Sequence, residues 1–189
     1  MEATGIYEGI RDNLNRKLKS LDIAVMIDKY SSVVQDIRRR IETFDTVEKD
    51  IVSCQEQLKK LLIFEREIQE ASEKCLKLVS QCEALDRRQY GDISMECSLH
   101  AYDILHLCTE LLQLVEIKTE IISTHIALMQ DFNNSCQKLK QIEIEMESKK
   151  ETGMLSQDFS KEIKIILESF MLKGQSCLDN STSMKSSAR

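Results

Sequence analysis

Leu85-Asp86-Arg87-Arg88-Gln89-Tyr90-Gly91-Asp92 decides how this chain is read, because apolar residues recur with helical spacing for a long way on either side of it. Gly91 is the residue type that a helix end takes where positive φ is needed. Asp92 and Ser94 are N-cap types, Glu96 suits a first turn, and Arg87 and Arg88 suit the negative end of a helix dipole. The stretch predicts a hairpin turn at residues 87–94 between two long helices.

Upstream of it a 3-4 alternation runs through Ile23, Met26, Tyr30, Val33, Ile37, Arg40, Phe44, Val47, Ile51, Cys54, Leu58, Leu61, Glu65, Ile68, Ser72, Cys75, Val79, Cys82 and Asp86. Fifteen of these nineteen positions are hydrophobic in a chain that is 42% hydrophobic, so the row is a heptad seam. Downstream a second seam runs from Cys97 and Ala101 to Glu143 and Met146, interrupted at Lys118 and His125. Lys149, Lys150 and Gly153 signal its end.

The predicted fold is all-α, an elongated antiparallel helical hairpin of coiled-coil type over residues 22–150. Ile6, Ile10, Leu14 and Leu18 predict a short amphipathic helix within residues 1–21; Ser20 and Asp22 are N-cap types that could restart the chain there, and the spacing leaves open whether the helix is separate or continues. Leu155, Phe159, Ile163, Ile166 and Phe170 predict another within 151–174, stopped by Lys173-Gly174. The serine-rich residues 175–189 read as a disordered tail. The composition agrees: no proline, no tryptophan, 5 glycines and 31% charged residues favour helix over turns and sheet.

Charge narrows the function classes. The net charge of −6 comes from intermixed acids and bases, and the densest basic run is only Arg38-Arg39-Arg40, so no basic stripe for nucleic acid or an anionic membrane is expected. No run approaches the roughly 18 apolar residues of a membrane span, and the opening Met1-Glu2-Ala3-Thr4 has neither region of a signal peptide. A cytoplasmic location follows as an expectation, with most of the 7 cysteines on the seams as reduced, buried side chains.

An antiparallel hairpin turning at residues 91 and 92 brings together residues whose numbers add to about 183. That register sets Glu65 against Lys118 and Arg40 against Glu143, two ion pairs whose expected role is to fix the register. It also sets His125 against Leu58, as a neutral core histidine.

Apolar residues flank the second seam at Leu105, Leu107, Leu112, Leu114, Ile121, Ile126 and Leu128, and the first seam at Leu62, Phe64, Leu76, Leu78 and Leu85. Two helices need only two rows, so this width predicts at least one further helix. In a straight hairpin the chain's own short helices leave at the far end. These twelve residues are therefore expected to bind helices of other subunits, as a hetero-oligomer before a homodimer. The alternative is that the rods bend or break, near Thr43 or Ser123, and the chain closes on itself as a bundle.

Catalytic chemistry finds no support. There is no glycine-rich phosphate loop, nucleophile elbow or paired-carboxylate motif, and Asp103-x-x-His106 is half of a di-metal motif at most. Cys97 and Cys108 on one helix stand roughly 16 Å apart, too far to share a zinc ion. No enzyme activity, metal or cofactor is expected. The expected function is that of a structural subunit in a cytoskeletal or motor-associated, kinetochore or trafficking assembly. A ligand-binding bundle and a membrane-shaping dimer are the alternatives.

Overall fold

The structure, a computed structural model, describes residues 2–84, 87–151 and 157–183. They form four helices, α1 (Glu2–Glu42), α2 (Ile51–Ala84), α3 (Arg87–Glu151) and α4 (Gln157–Ser183), and no strand occurs among the described residues. The all-α class read from composition and spacing is the observed one.

The helix boundaries differ from the expected ones in four places. α1 runs without a break through residues 20–22, because the Ser20 hydroxyl donates back to the Lys17 carbonyl at 2.9 Å and so does not cap a new helix. The rod from residue 22 to the turn is interrupted after Glu42, near Thr43, where the alternative reading placed a bend or break. Thr43 closes α1 by donating to the Arg40 carbonyl from its main-chain nitrogen (3.2 Å) and its Oγ1 (2.6 Å). Asp50 then opens α2, its carboxylate accepting the Ser53 main-chain N–H at 2.9 Å.

The other two differences concern glycines. Tyr90-Gly91-Asp92 lie inside α3, which starts at Arg87, and Leu85 and Asp86 fall outside the described residues. Gly174, expected to stop the last helix, lies inside α4, and residues 175–183 are helical where a disordered tail was expected. A glycine inside a helix costs only about 1 kcal/mol against alanine, which packing readily offsets. Gly174 has such packing: a Cβ there would stand 3.3 Å from the Phe132 ring.

The chain divides into two compact units, Met1–Thr43 with Leu62–Val115 and Phe44–Leu61 with Glu116–Arg189. In the first unit α2 and α3 run antiparallel. Cys75 lies beside Cys108, and the Tyr102 hydroxyl reaches the Glu83 carboxylate at 3.4 Å, so numbers rise along α3 as they fall along α2. α1 is the third helix of this unit. It buries Ser20, Ile23, Ile27, Val34, Ile37 and Ile41 along one side. Lys74 stands 5.8 Å over the Tyr30 ring, and Arg40 reaches Glu67 and lies 4.9 Å over the Phe64 ring, which makes α1 antiparallel to α2.

In the second unit the segment between α1 and α2 is tied down by side chains. Gln57 donates from Nε2 to the Thr46 carbonyl at 3.0 Å and accepts the Glu48 N–H at 3.2 Å, while the Cys54 thiol donates to the Glu48 carbonyl at 3.3 Å. Lys118, in α3, donates to the Phe44 carbonyl at 2.6 Å. α4 packs on α3: Phe170 stacks on Phe132 with centroids 4.7 Å apart, and Lys173 bonds Asp131 (2.9 Å) and Ser135 (3.2 Å).

Candidate functional site

The surface expected to receive a partner is largely occupied by the chain itself. Phe64 and Leu78 are core residues. Leu105, Leu107, Leu112, Leu114, Ile121, Ile126 and Leu128 are half-buried, Leu62 and Leu76 are exposed, and Leu85 lies outside the described residues. In the first unit the extra helix that the wide stripe demanded is α1. The break at residues 43–50 lets α1 fold back, whereas an unbroken rod would have carried it away.

Arg40 and Lys118 each take a partner within their own unit. Arg40 takes Glu67, with its Nε 3.2 Å from the Asp36 carboxylate one turn back in α1, and Glu143 is exposed. Lys118 takes a main-chain carbonyl, and the Glu65 carboxylate accepts from Gln69 Nε2 at 3.3 Å, one turn along its own helix. The physical reason is the same in both cases. With the helix ended at Thr43, the Phe44 carbonyl lies beyond α1 and accepts from Lys118, while Arg40 faces α2.

The open surface lies elsewhere, at the start of α1. Tyr30 and Arg40 fix its register on α2 so that Ser20 comes opposite Ala84, where α2 ends; residues before Ser20 have no α2 beside them. Accordingly every residue from Ile6 to Lys19 is exposed. Ile6, Tyr7, Ile10, Leu14, Leu18, Leu21 and Val25 are each 57 to 68% exposed. At roughly 100° per residue they form one row along α1, nearly opposite the buried row that starts at Ser20. Between Ile6 and Lys19 the flanks carry Arg11, Arg16, Lys17 and Lys19 against Glu8 and Asp12, a local excess of positive charge in an acidic chain. The sequence spacing revealed Ile6, Ile10, Leu14 and Leu18 of this row and missed Tyr7. Its continuation to Leu21 and Val25 was masked by the competing row on the other side of the same helix.

Other candidate chemistry is sparse. Among the described residues no group of three or more His, Cys, Asp or Glu is placed to hold a metal ion. His106 lies at the surface 3.4 Å from Glu110, and His100 lies 3.9 Å from Asp28. Burial pushes the thiols of Cys54, Cys75, Cys82, Cys97 and Cys108 up, Cys108 to about 11, which keeps them protonated and weakly nucleophilic. Among the described residues no helix is long and apolar enough to cross a membrane.

No known protein family matches this chain, and no curated protein or solved structure is similar to it.

Proposed function

We propose that this chain is a non-catalytic helical subunit of a multiprotein assembly, joined to its partners by helix-on-helix packing, with the exposed row of α1 as the contact. The observation that supports this reading is that row: seven large apolar side chains, each 57 to 68% exposed, on a helix whose opposite side serves the first unit's core. Burying one such side chain is worth about 1.5–3 kcal/mol, so a facing helix gains much from covering several. The basic flanks favour a partner helix with acidic flanks. A second copy of α1 would set base against base, so a different chain is the better complement. Subunits of this build suit cytoskeletal, kinetochore and trafficking assemblies, an architectural analogy only.

The test compares affinity-purified complexes of the natural chain with those of the double variant Leu14→Asp, Leu18→Asp. The variant is expected to keep its helical content and melting temperature, because both positions are exposed, and to lose its partner subunits. Retention of the same partners in unchanged amounts would overturn the reading. So would pelleting of the chain with neutral or anionic vesicles that the variant abolishes, which would assign the row to a lipid surface.

A further inference from the structure

The second unit contains a cleft of about 720 Å³ between the start of α2, the middle of α3 and the end of α4. Its size lies within the range of small-molecule sites. The walls are apolar: Val47 and Ile51 on one side, Met129 and Phe132 on the other, and Val52 and Leu178 at the mouth.

Inside this apolar lining stands one buried polar side chain. His125 is 4% exposed and lines the cleft, and its Nδ1 is sealed from solvent without a hydrogen-bond partner. Nδ1 is the ring nitrogen that is both buried and unpaired, which leaves Nε2 as the nitrogen that a molecule in the cleft would meet. Burial lowers the imidazole's proton affinity, which keeps the ring neutral. In a neutral ring a buried N–H without an acceptor is the costlier arrangement, so the proton belongs on Nε2, which makes Nε2 the donor.

The walls are held in place before anything binds. Gln57 and Cys54 fix the main chain at Thr46 and Glu48, and Asp50 caps α2, so the Val47 to Val52 wall is pinned at both ends. On the far side the Phe132 ring is stacked on Phe170 and abuts Gly174. Phe132, the Met129 thioether and the imidazole follow one another at helical spacing on one face of α3, a surface suited to an aromatic ring. The rim charges are Glu48, Lys49 and Asp50, one base against two acids, which disfavours an anion.

We propose that this cleft is a binding site for a small neutral aromatic molecule carrying one hydroxyl or carbonyl oxygen, which accepts a hydrogen bond from His125 Nε2. The site is independent of the α1 row, which lies in the other unit, so either assignment can fail while the other stands.

The test is a titration of the full chain, labelled at its methionine methyl groups, with 2-naphthol, naphthalene and 2-naphthoate, followed by NMR at Met129. The expected result is a saturable shift of the Met129 methyl with 2-naphthol, affinity for naphthalene about fivefold weaker through the missing hydrogen bond, and 2-naphthoate weaker again. His125→Phe is expected to erase the difference between 2-naphthol and naphthalene. Should that variant fail to fold, Val52→Asp at the exposed mouth keeps the test open, and is expected to weaken both neutral probes together. Absence of a saturable shift, equal affinity of the natural chain for 2-naphthol and naphthalene, or full 2-naphthol affinity in Val52→Asp each overturns the proposal.

Discussion

Lys118 donates a hydrogen bond from Nζ to the main-chain carbonyl of Phe44, 2.6 Å away in a place closed to solvent. Burial pushes the ammonium's pKa down, and Asp45 nearby opposes that shift. The lysine thus supplies a donor to a carbonyl beyond the helix end at Thr43. Lys118→Met keeps the length of the side chain and removes this buried hydrogen bond. A loss of about 1–3 kcal/mol is expected, read as a lower urea midpoint. Because Glu65 accepts from Gln69, Glu65→Lys combined with Lys118→Glu is expected to be no more stable than Lys118→Glu alone. Rescue in that double variant would restore the ion pair that the register argument gave.

How much of this was legible in the sequence differs between helices. The second seam was read correctly over the core of α3: Ala101, Ile104, Cys108, Leu111, Val115, Lys118, Ile122 and His125 are all buried. The break at residues 43–50 was legible only as the alternative of a bend or break near Thr43, because Phe44 and Val47 kept the 3-4 alternation going across it. Both are buried, so the linker turns its apolar residues inward just as a helix would. The Asp50 cap that opens α2 was not singled out in the sequence. In α1 the buried row passes through Val34 and leaves Val33 exposed, one step away from the expected seam. The α1 row became visible as a surface only when the end of α2 at Ala84 was known.

His125 makes stability depend on pH in a predictable direction. Burial holds its folded pKa below the ordinary 6.5, so as pH falls through 6.5 the unfolded chain takes up the proton before the folded one does. Stability therefore decreases below pH 6.5 and goes on decreasing until the folded imidazole itself titrates. Urea midpoints at pH 7.5 and pH 5.5 check this. The natural chain is expected to lose more across that interval than His125→Gln, because the glutamine has no proton to gain.

The cysteines should label in an order set by burial. Cys97 and Cys136 are half-buried, while Cys54, Cys75, Cys82 and Cys108 are buried. Brief alkylation at pH 8 is expected to modify Cys97 and Cys136 before Cys54, Cys75, Cys82 and Cys108. Cys108, pushed up to about 11, is expected to react only on unfolding. Mass spectrometry of peptides from timed samples gives the order directly, and early labelling of Cys108 would contradict the packing of α2 on α3.

Gly174 separates helix propensity from packing. Alanine there gains up to about 1 kcal/mol of propensity, but its methyl group meets the Phe132 ring at 3.3 Å and the ring must yield by a few tenths of an ångström. Phe132 is half-buried and borders the cleft, so it has somewhere to go. Gly174→Ala is expected to raise the thermal midpoint slightly. Gly174→Val, with two more carbons against the ring and poorer propensity, is expected to lower it.

The two rows of α1 predict opposite responses to the same kind of change. Ile37 is fully buried against the first unit's core, so Ile37→Ala removes packed atoms from a site that refills incompletely; a cost of about 2–5 kcal/mol is expected. Leu14 is 57% exposed beyond the end of α2, so Leu14→Ala is expected to stay within about 0.5 kcal/mol. Denaturation of both variants as purified, partner-free protein makes the comparison. If the two cost the same, α1 is not the third helix of its unit: equal small losses mean that it stands free, and equal large losses mean that the Leu14 row is already covered. Only the unequal result leaves a row of apolar side chains that stability does not need.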